Sequence, residues 1–268
     1  MSNTSKTCFI DIDNVVLSYP VGRFVKGSLK SAMLGLFGHR ETKITRSQVT
    51  ALNGMSLKIH SGEKVGIIGR NGAGKSTLLR AIAGIYPLVS GKITVSGKIQ
   101  SLFELGTGFE PDSSGRENIR YRGLAMGCEP GDIEAREEDI IHFADIGEFI
   151  DLPIRTYSAG MFVRLAFGIS TYLEGNILLI DEVFGAGDAS FRARAIQRME
   201  EIVERSHIML FVSHDMETIE RICNRVIWID DGHVKADGPP EKIIEHYLEQ
   251  VGQPQPPERK IKFAGQPR

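Results

Sequence analysis

Between residues 64 and 84 the hydrophobic pattern changes its period across a single turn. Val65, Ile67 and Ile68 form a short apolar run, whereas Leu78, Leu79 and Ile82 recur at helical spacing. The stretch between them is rich in glycine, so the pattern predicts a strand, a tight turn and a helix, with Gly84 as the C-terminal cap. Upstream, Cys8–Tyr19 alternates apolar and polar residues and reads as a strand pair ending at Tyr19-Pro20. Strand character resumes at Val49–Ile59, Gly91–Val95 and Lys98–Leu105. Glu117–Met126, Ile133–Phe149 and Phe162–Leu173 read as helices, with Pro111–Gly115 a loop. Asn176–Ile180 is a continuous apolar strand of the kind buried in a parallel sheet. There follow a helix at Phe191–Arg205, a strand at His207–Val212 and a helix at Met216–Cys223. Val226–Asp230 and His233–Lys235 form a hairpin across Asp231-Gly232, and Glu241–Gln250 is the last helix.

Two segments fall outside this rhythm. Residues 21–47 carry Arg23, Lys26, Lys30, Arg40, Lys43 and Arg46 against the single acid Glu41, with Leu29, Met33, Leu34, Leu36 and Phe37 near helical spacing. A basic amphipathic helix and a solvated loop folded onto the domain both fit that pattern. Gly252–Arg268 is rich in Pro and Gln without periodicity and is expected to be a flexible tail. At 268 residues the chain suits one large domain with an insertion and a tail. A net charge of −2 argues against a nucleic-acid partner, which usually needs a basic face. The three cysteines show no paired spacing and are expected to be reduced. Met1–Lys6 is polar and no apolar run approaches the ~20 residues of a membrane span. A membrane role therefore needs a second chain to cross the bilayer.

The chemistry concentrates in Gly69-Arg70-Asn71-Gly72-Ala73-Gly74-Lys75-Ser76-Thr77, which fits the phosphate-loop pattern in strand–turn–helix context. Its glycines let backbone N–H groups face phosphate oxygens, and the helix N-terminus adds partial positive charge. Lys75 is expected on the β- and γ-phosphates and the Ser76 hydroxyl on Mg²⁺. Gly69, Asn71, Gly72, Ala73, Gly74 and Thr77 complete the candidate nucleotide-binding set. The apolar strand ending in Asp181-Glu182 supplies a second metal ligand in Asp181 and a water-polarising carboxylate in Glu182. Ser213-His214-Asp215 ends another strand and brings an imidazole to the same crevice.

With these residues in place the chain resembles the nucleotide-binding subunits of ATP-binding cassette (ABC) transporters over residues 9–248. Tyr157-Ser158-Ala159-Gly160-Met161 is similar to the family's signature motif, with Ala159 and Met161 as departures. Gly185-Ala186-Gly187-Asp188 matches the D-loop, His214 the switch histidine, and Tyr19 the aromatic that stacks on adenine. Glu104 stands nearest the position of the family's Q-loop glutamine, as a candidate metal contact. The resemblance implies an α/β fold: a phosphate-loop NTPase core with a mainly parallel sheet, an antiparallel β subdomain and a helical signature subdomain over about 112–173. It implies ATP and Mg²⁺, and a homodimer in which Ser158 and Gly160 of one subunit face the nucleotide held by Lys75 of the other. Leu105–Phe109, Gly115–Ile119, Phe143–Asp151 and Asp181–Asp188 resemble one branch, the ATPases that export bacterial surface polysaccharides such as O-antigen, capsule and teichoic acid. That branch implies a separately encoded permease in two copies, a lipid-linked glycan substrate and a place on the cytoplasmic face of the membrane. The alternatives are an ABC transporter ATPase for another substrate and a soluble cassette of repair or translation type; against the latter, too few residues separate Lys75 from Ser158 for a coiled coil, and only one cassette is present. A non-hydrolysing cassette is disfavoured by Lys75, Asp181, Glu182 and His214 together.

Overall fold

The computed structural model describes residues 8–21, 47–103, 105–173, 175–181 and 189–251. The expectations for the basic insertion, Glu104, Glu182, the D-loop with Asp188, and the tail lie outside those residues. Strand β1 (Phe9–Val21) sits between β2 (Ser47–His60) and β4 (Ser90–Ser96) in a three-stranded antiparallel sheet. The strand pair expected over Cys8–Tyr19 is instead one long strand with a bulge. Ile10 and Ile12 are buried, then Val15 and Leu17, so the buried positions switch from even to odd numbers. The register against β2 slips between Ile12 and Val15, and Asn14 takes φ 45° there. One extra residue keeps the same face of the strand in the core.

The second sheet has six strands in the order β5 (Ile99–Ser101), β6 (Ile177–Asp181), β7 (Ile208–Val212), β3 (Lys64–Ile68), β8 (Arg225–Asp230) and β9 (His233–Gly238). All neighbours are parallel except β8 and β9. Apolar runs suit these strands because both faces are covered. Val65, Ile67, Ile177, Leu179, Leu210 and Ile227 face the antiparallel sheet, with helix α1 (Lys75–Ile82) between the sheets. Leu178, Ile180, Met209 and Trp228 face the opposite layer, formed by α5 (Ala189–Arg205), α6 (Met216–Ile222) and α7 (Pro240–Val251). The strand expected at Lys98–Leu105 ends at Ser101, and turns follow after Leu102, whose amide still donates to Leu179 O at 2.9 Å.

Helices α2 (Gly115–Ala125), α3 (Pro130–Ala144) and α4 (Ala159–Tyr172) build a separate core from Ile119, Ile133, Ile140, Leu165 and Ile169. Ser114 opens α2 with a reciprocal capping box to Glu117. The helix expected over Ile133–Phe149 breaks at Asp145, which takes the left-handed cap conformation at φ 50°. A short 3-10 turn, Gly147–Asp151, follows it. The glycine cap expected after α1 is present: Gly84 (φ 74°) donates to Ala81 O at 3.1 Å and Ile85 to Arg80 O at 2.9 Å. These are the paired bonds of a Schellman motif.

Gly66 lets α6 approach β3 closely, since a Cβ there would lie 2.6 Å from Ile219 Cγ2. Gly66→Ala should therefore cost about 1–3 kcal/mol through overpacking. The check is a lowered urea midpoint with an unchanged m value.

Candidate nucleotide site

The phosphate-loop pattern folds as a turn pressed between two backbones. Gly69 and Gly74 adopt φ 148° and 106°, and a Cβ at either would strike a carbonyl: Ile229 O at 2.2 Å and Ala51 O at 2.4 Å. Any side chain at these positions would thus move the loop away from β8 or β2. Gly72, at φ 82°, has open space beside it, so only its backbone conformation demands glycine. Ala73 donates to Arg70 O at 3.1 Å, closing the turn, and Gly74 is the N-cap of α1. Lys75 is 7% exposed, and its ammonium donates to Gly69 O at 2.8 Å and Arg70 O at 2.9 Å. The buried charge is thus compensated by carbonyls of its own loop. Backbone amides at a glycine-rich turn, a helix start and an ammonium together form the chemistry of an anion-binding turn.

A cavity of about 340 Å³ opens over this turn. Asn71, Gly72, Gly74, Lys75, Ser76 and Thr77 line it, together with Tyr19 from β1, Asp181 from the end of β6 and His214 beyond β7. Asp181 reaches it because β6 and β7 are in register there, Asp181 opposite Val212. His214 is exposed and follows the buried Ser213, whose hydroxyl accepts from the Asp215 amide at 3.0 Å. Tyr19 is half-buried; its hydroxyl donates to Thr77 Oγ1 at 3.1 Å and its ring meets Tyr86 edge-on at 5.4 Å. Gly69 and Ala73 shape the turn from beneath and do not line the cavity. Val49, Ala51 and Val212 also line it. Sequence reasoning missed these three because nothing local marks an apolar strand residue as facing a ligand rather than a core.

Ser158 and Gly160 are not brought to this cavity. Both are exposed, and Ser158 caps α4 by accepting from the Met161 amide at 3.2 Å. Among the described residues no group of three or more His, Cys, Asp or Glu could hold a metal. A cation here would rest on Ser76 and Asp181 plus ligands from a bound phosphate, a donor set that suits Mg²⁺.

The family model described as ABC transporter matches residues 52–185. The O-antigen export system ATP-binding protein RfbB of Klebsiella pneumoniae is 40% identical over 239 residues, 89% of this chain and 96% of the relative. The chain belongs to the ABC transporter family. It is an ATP-binding subunit of that family, an ABC ATPase. RfbB of Myxococcus xanthus is 41% identical over 248 residues, but this chain covers 56% of that protein's length. The teichoic acids export ATP-binding protein TagH of Enterococcus faecalis is 41% identical over 74% of this chain and 44% of its own. Among solved structures, an ATP-binding subunit of an ABC transporter superposes with a TM-score of 0.64 at 21% identity, covering 91% of this chain and 93% of that one. A dimeric cassette in a post-hydrolysis state with ADP and phosphate gives 0.61 at 19% identity, over 86% of this chain and 98% of that one. These two likenesses concern the ABC cassette fold.

His214 of the ABC ATPase is carried by a segment whose other end is a strong cap. Asp215 accepts from the Thr218 hydroxyl and from the amides of Glu217 and Thr218. The Thr218 bonds, then that of Glu217, hold its carboxyl below the ordinary 3.8. A depressed carboxyl stabilises the fold above its unfolded pKa, and the contribution is lost as pH falls through the folded value. Thr218→Val should therefore be less stable than wild type at neutral pH, with the difference vanishing in acid well below 3.8. Urea titrations at the two pH values check it.

Proposed function

We propose that this ABC ATPase powers export of a lipid-linked surface polysaccharide, as a homodimer joined to a separately encoded membrane permease. The observation that carries the ATPase chemistry is the single cavity shared by Tyr19, residues 71, 72 and 74–77, Asp181 and His214. In this reading the loop amides and Lys75 hold the β- and γ-phosphates, and adenine stacks on Tyr19. Binding turns the Lys75 ammonium from two neutral carbonyls to anionic oxygens. Ser76 and Asp181 hold Mg²⁺, with Glu104 as a further candidate contact; the ion neutralises charge on the phosphates. Glu182 orients the attacking water, and His214 bonds the γ-phosphate side of the site.

The exposed signature end of α4 supports a head-to-tail dimer. Ser158 and Gly160 line no part of their own subunit's cavity, so in this reading they serve, with Asp188, the nucleotide of the partner. The polysaccharide substrate rests on identity near 40% to export ATPases of O-antigen and teichoic acid systems. Among the described residues no helix is long and apolar enough to cross a membrane, which is why the reading requires a permease. Two copies, one per ATPase subunit, follow from dimer symmetry.

Lys75→Ala should weaken ATP binding at least about tenfold, the scale of a lost charge-assisted hydrogen bond. Glu182→Gln should keep binding, lose about 10²-fold or more in turnover and accumulate as an ATP-bound dimer. Equilibrium binding and light scattering read the two effects; near-wild-type turnover of Glu182→Gln removes it as the base. Neither variant should restore surface glycan in cells lacking the wild-type chain.

Placing Ser158→Arg and Lys75→Ala in different subunits of one dimer puts both lesions in one composite site and leaves the other intact. Placing both in the same subunit spoils each site. The first arrangement should hydrolyse ATP faster; equal rates with a measurable wild-type-like site count against the sandwich.

A further inference from the structure

The turn joining β8 and β9 reaches the phosphate loop from more than a hundred residues downstream. Asp231 and Gly232 take φ 46° and 77°, the double positive turn suited to a two-residue hairpin. Gly232 is buried, and its amide donates to Ala73 O in the loop at 3.1 Å. Its carbonyl accepts from the Asn53 amide of β2 at 3.0 Å, and the Asn53 side chain bonds His233 Nε2 at 3.1 Å. One carbonyl, Ala51 O, borders both partners: a Cβ would lie 2.8 Å from it at Gly232 and 2.4 Å from it at Gly74. The hairpin tip and the loop are therefore packed around the same backbone atom.

The bond to Ala73 has a directional consequence. A trans peptide is planar, so its C=O and N–H point opposite ways. With the Ala73 carbonyl drawn outward to Gly232, the amide of Gly74 in the same peptide plane is turned the other way. Gly74 lines the cavity. We propose that Gly232 is a positioning residue for nucleotide binding: its amide holds the Ala73–Gly74 peptide in the orientation that presents the Gly74 N–H to phosphate.

This inference rests on the reading of the cavity as the ATP site. Gly232 touches no ligand and acts through the loop. Positive φ alone does not bring such contacts: Gly127, at φ 74°, has nothing within 4 Å of a built Cβ. It matches Gly232 in backbone conformation, so it separates conformational strain from the loop contact.

The test uses the full chain and measures affinity for ATP, alongside thermal stability, in Gly232→Ala, Gly232→Asn, Gly127→Asn and Lys75→Ala. Asparagine tolerates positive φ, so Gly232→Asn reduces strain while keeping the Cβ against Ala51 O. Both Gly232 variants should bind ATP at least about tenfold more weakly while folded, the scale of a misplaced hydrogen-bond donor. Gly127→Asn should bind as wild type. Wild-type affinity in folded Gly232→Asn overturns the proposal, and so does failure of that variant to fold, which would make the turn a folding element. If Lys75→Ala also binds as wild type, the reading of the cavity fails first; if only the Gly232 variants do, the positioning role alone falls.

Discussion

A backbone turn that must bind an anion has to be concave, and concavity in an L-chain needs residues at positive φ. The turn at 69–74 meets that demand with Gly69, Gly72 and Gly74. Such a turn is intrinsically loose, because glycine loses more freedom on ordering than any other residue. Here the looseness is removed by contact. β8 lies against Gly69, β2 against Gly74, and the buried ammonium of Lys75 ties the loop's first carbonyls together. The two sheets stand where they do relative to the loop, and α1 between them is the rigid extension of the same turn.

Much of this was legible because it is local. The strand–turn–helix around Lys75 depends on a few adjacent residues, and Gly84 ends α1 by a bond pattern confined to its own last turn. The apolar runs of β6, β7 and β8 were readable since strands covered on both faces need no polar alternation. The errors lie where a single residue changes the rule. Asn14 inserts one position into β1 and makes one strand look like two. Asp145 breaks a helix whose apolar spacing continues beyond it, because aspartate tolerates the left-handed conformation of a cap, which pattern alone does not distinguish.

For the candidate site, the residue types were readable but not their company. Tyr19, Asp181 and His214 reach one cavity through sheet register, and the hydroxyl contact of Tyr19 with Thr77 spans 58 residues. Val49, Ala51 and the Asp231-Gly232 turn carry no chemical label at all. Their placement follows from β2 crossing the hairpin, a consequence of assembling two sheets that no single stretch encodes. The helical subdomain is different again. Its own core of Ile119, Ile133, Ile140, Leu165 and Ile169 lets it hold Ser158 at an exposed helix start without help from the cavity.

The contacts of the Lys75 ammonium also mean that the unliganded loop carries its own competitor. Main-chain oxygens of Gly69 and Arg70 are among the partners of the cation, so in the proposed reading phosphate would bind by exchange rather than by simple addition. Affinity is then the difference between two sets of charge-assisted bonds, and only the surplus favours the nucleotide. On that reading the same exchange run backwards would return the carbonyls to the cation as product departs, so the charge would not be stranded in a dry interior between one nucleotide and the next. A site that grips by substitution would thus keep its buried charge compensated both empty and filled.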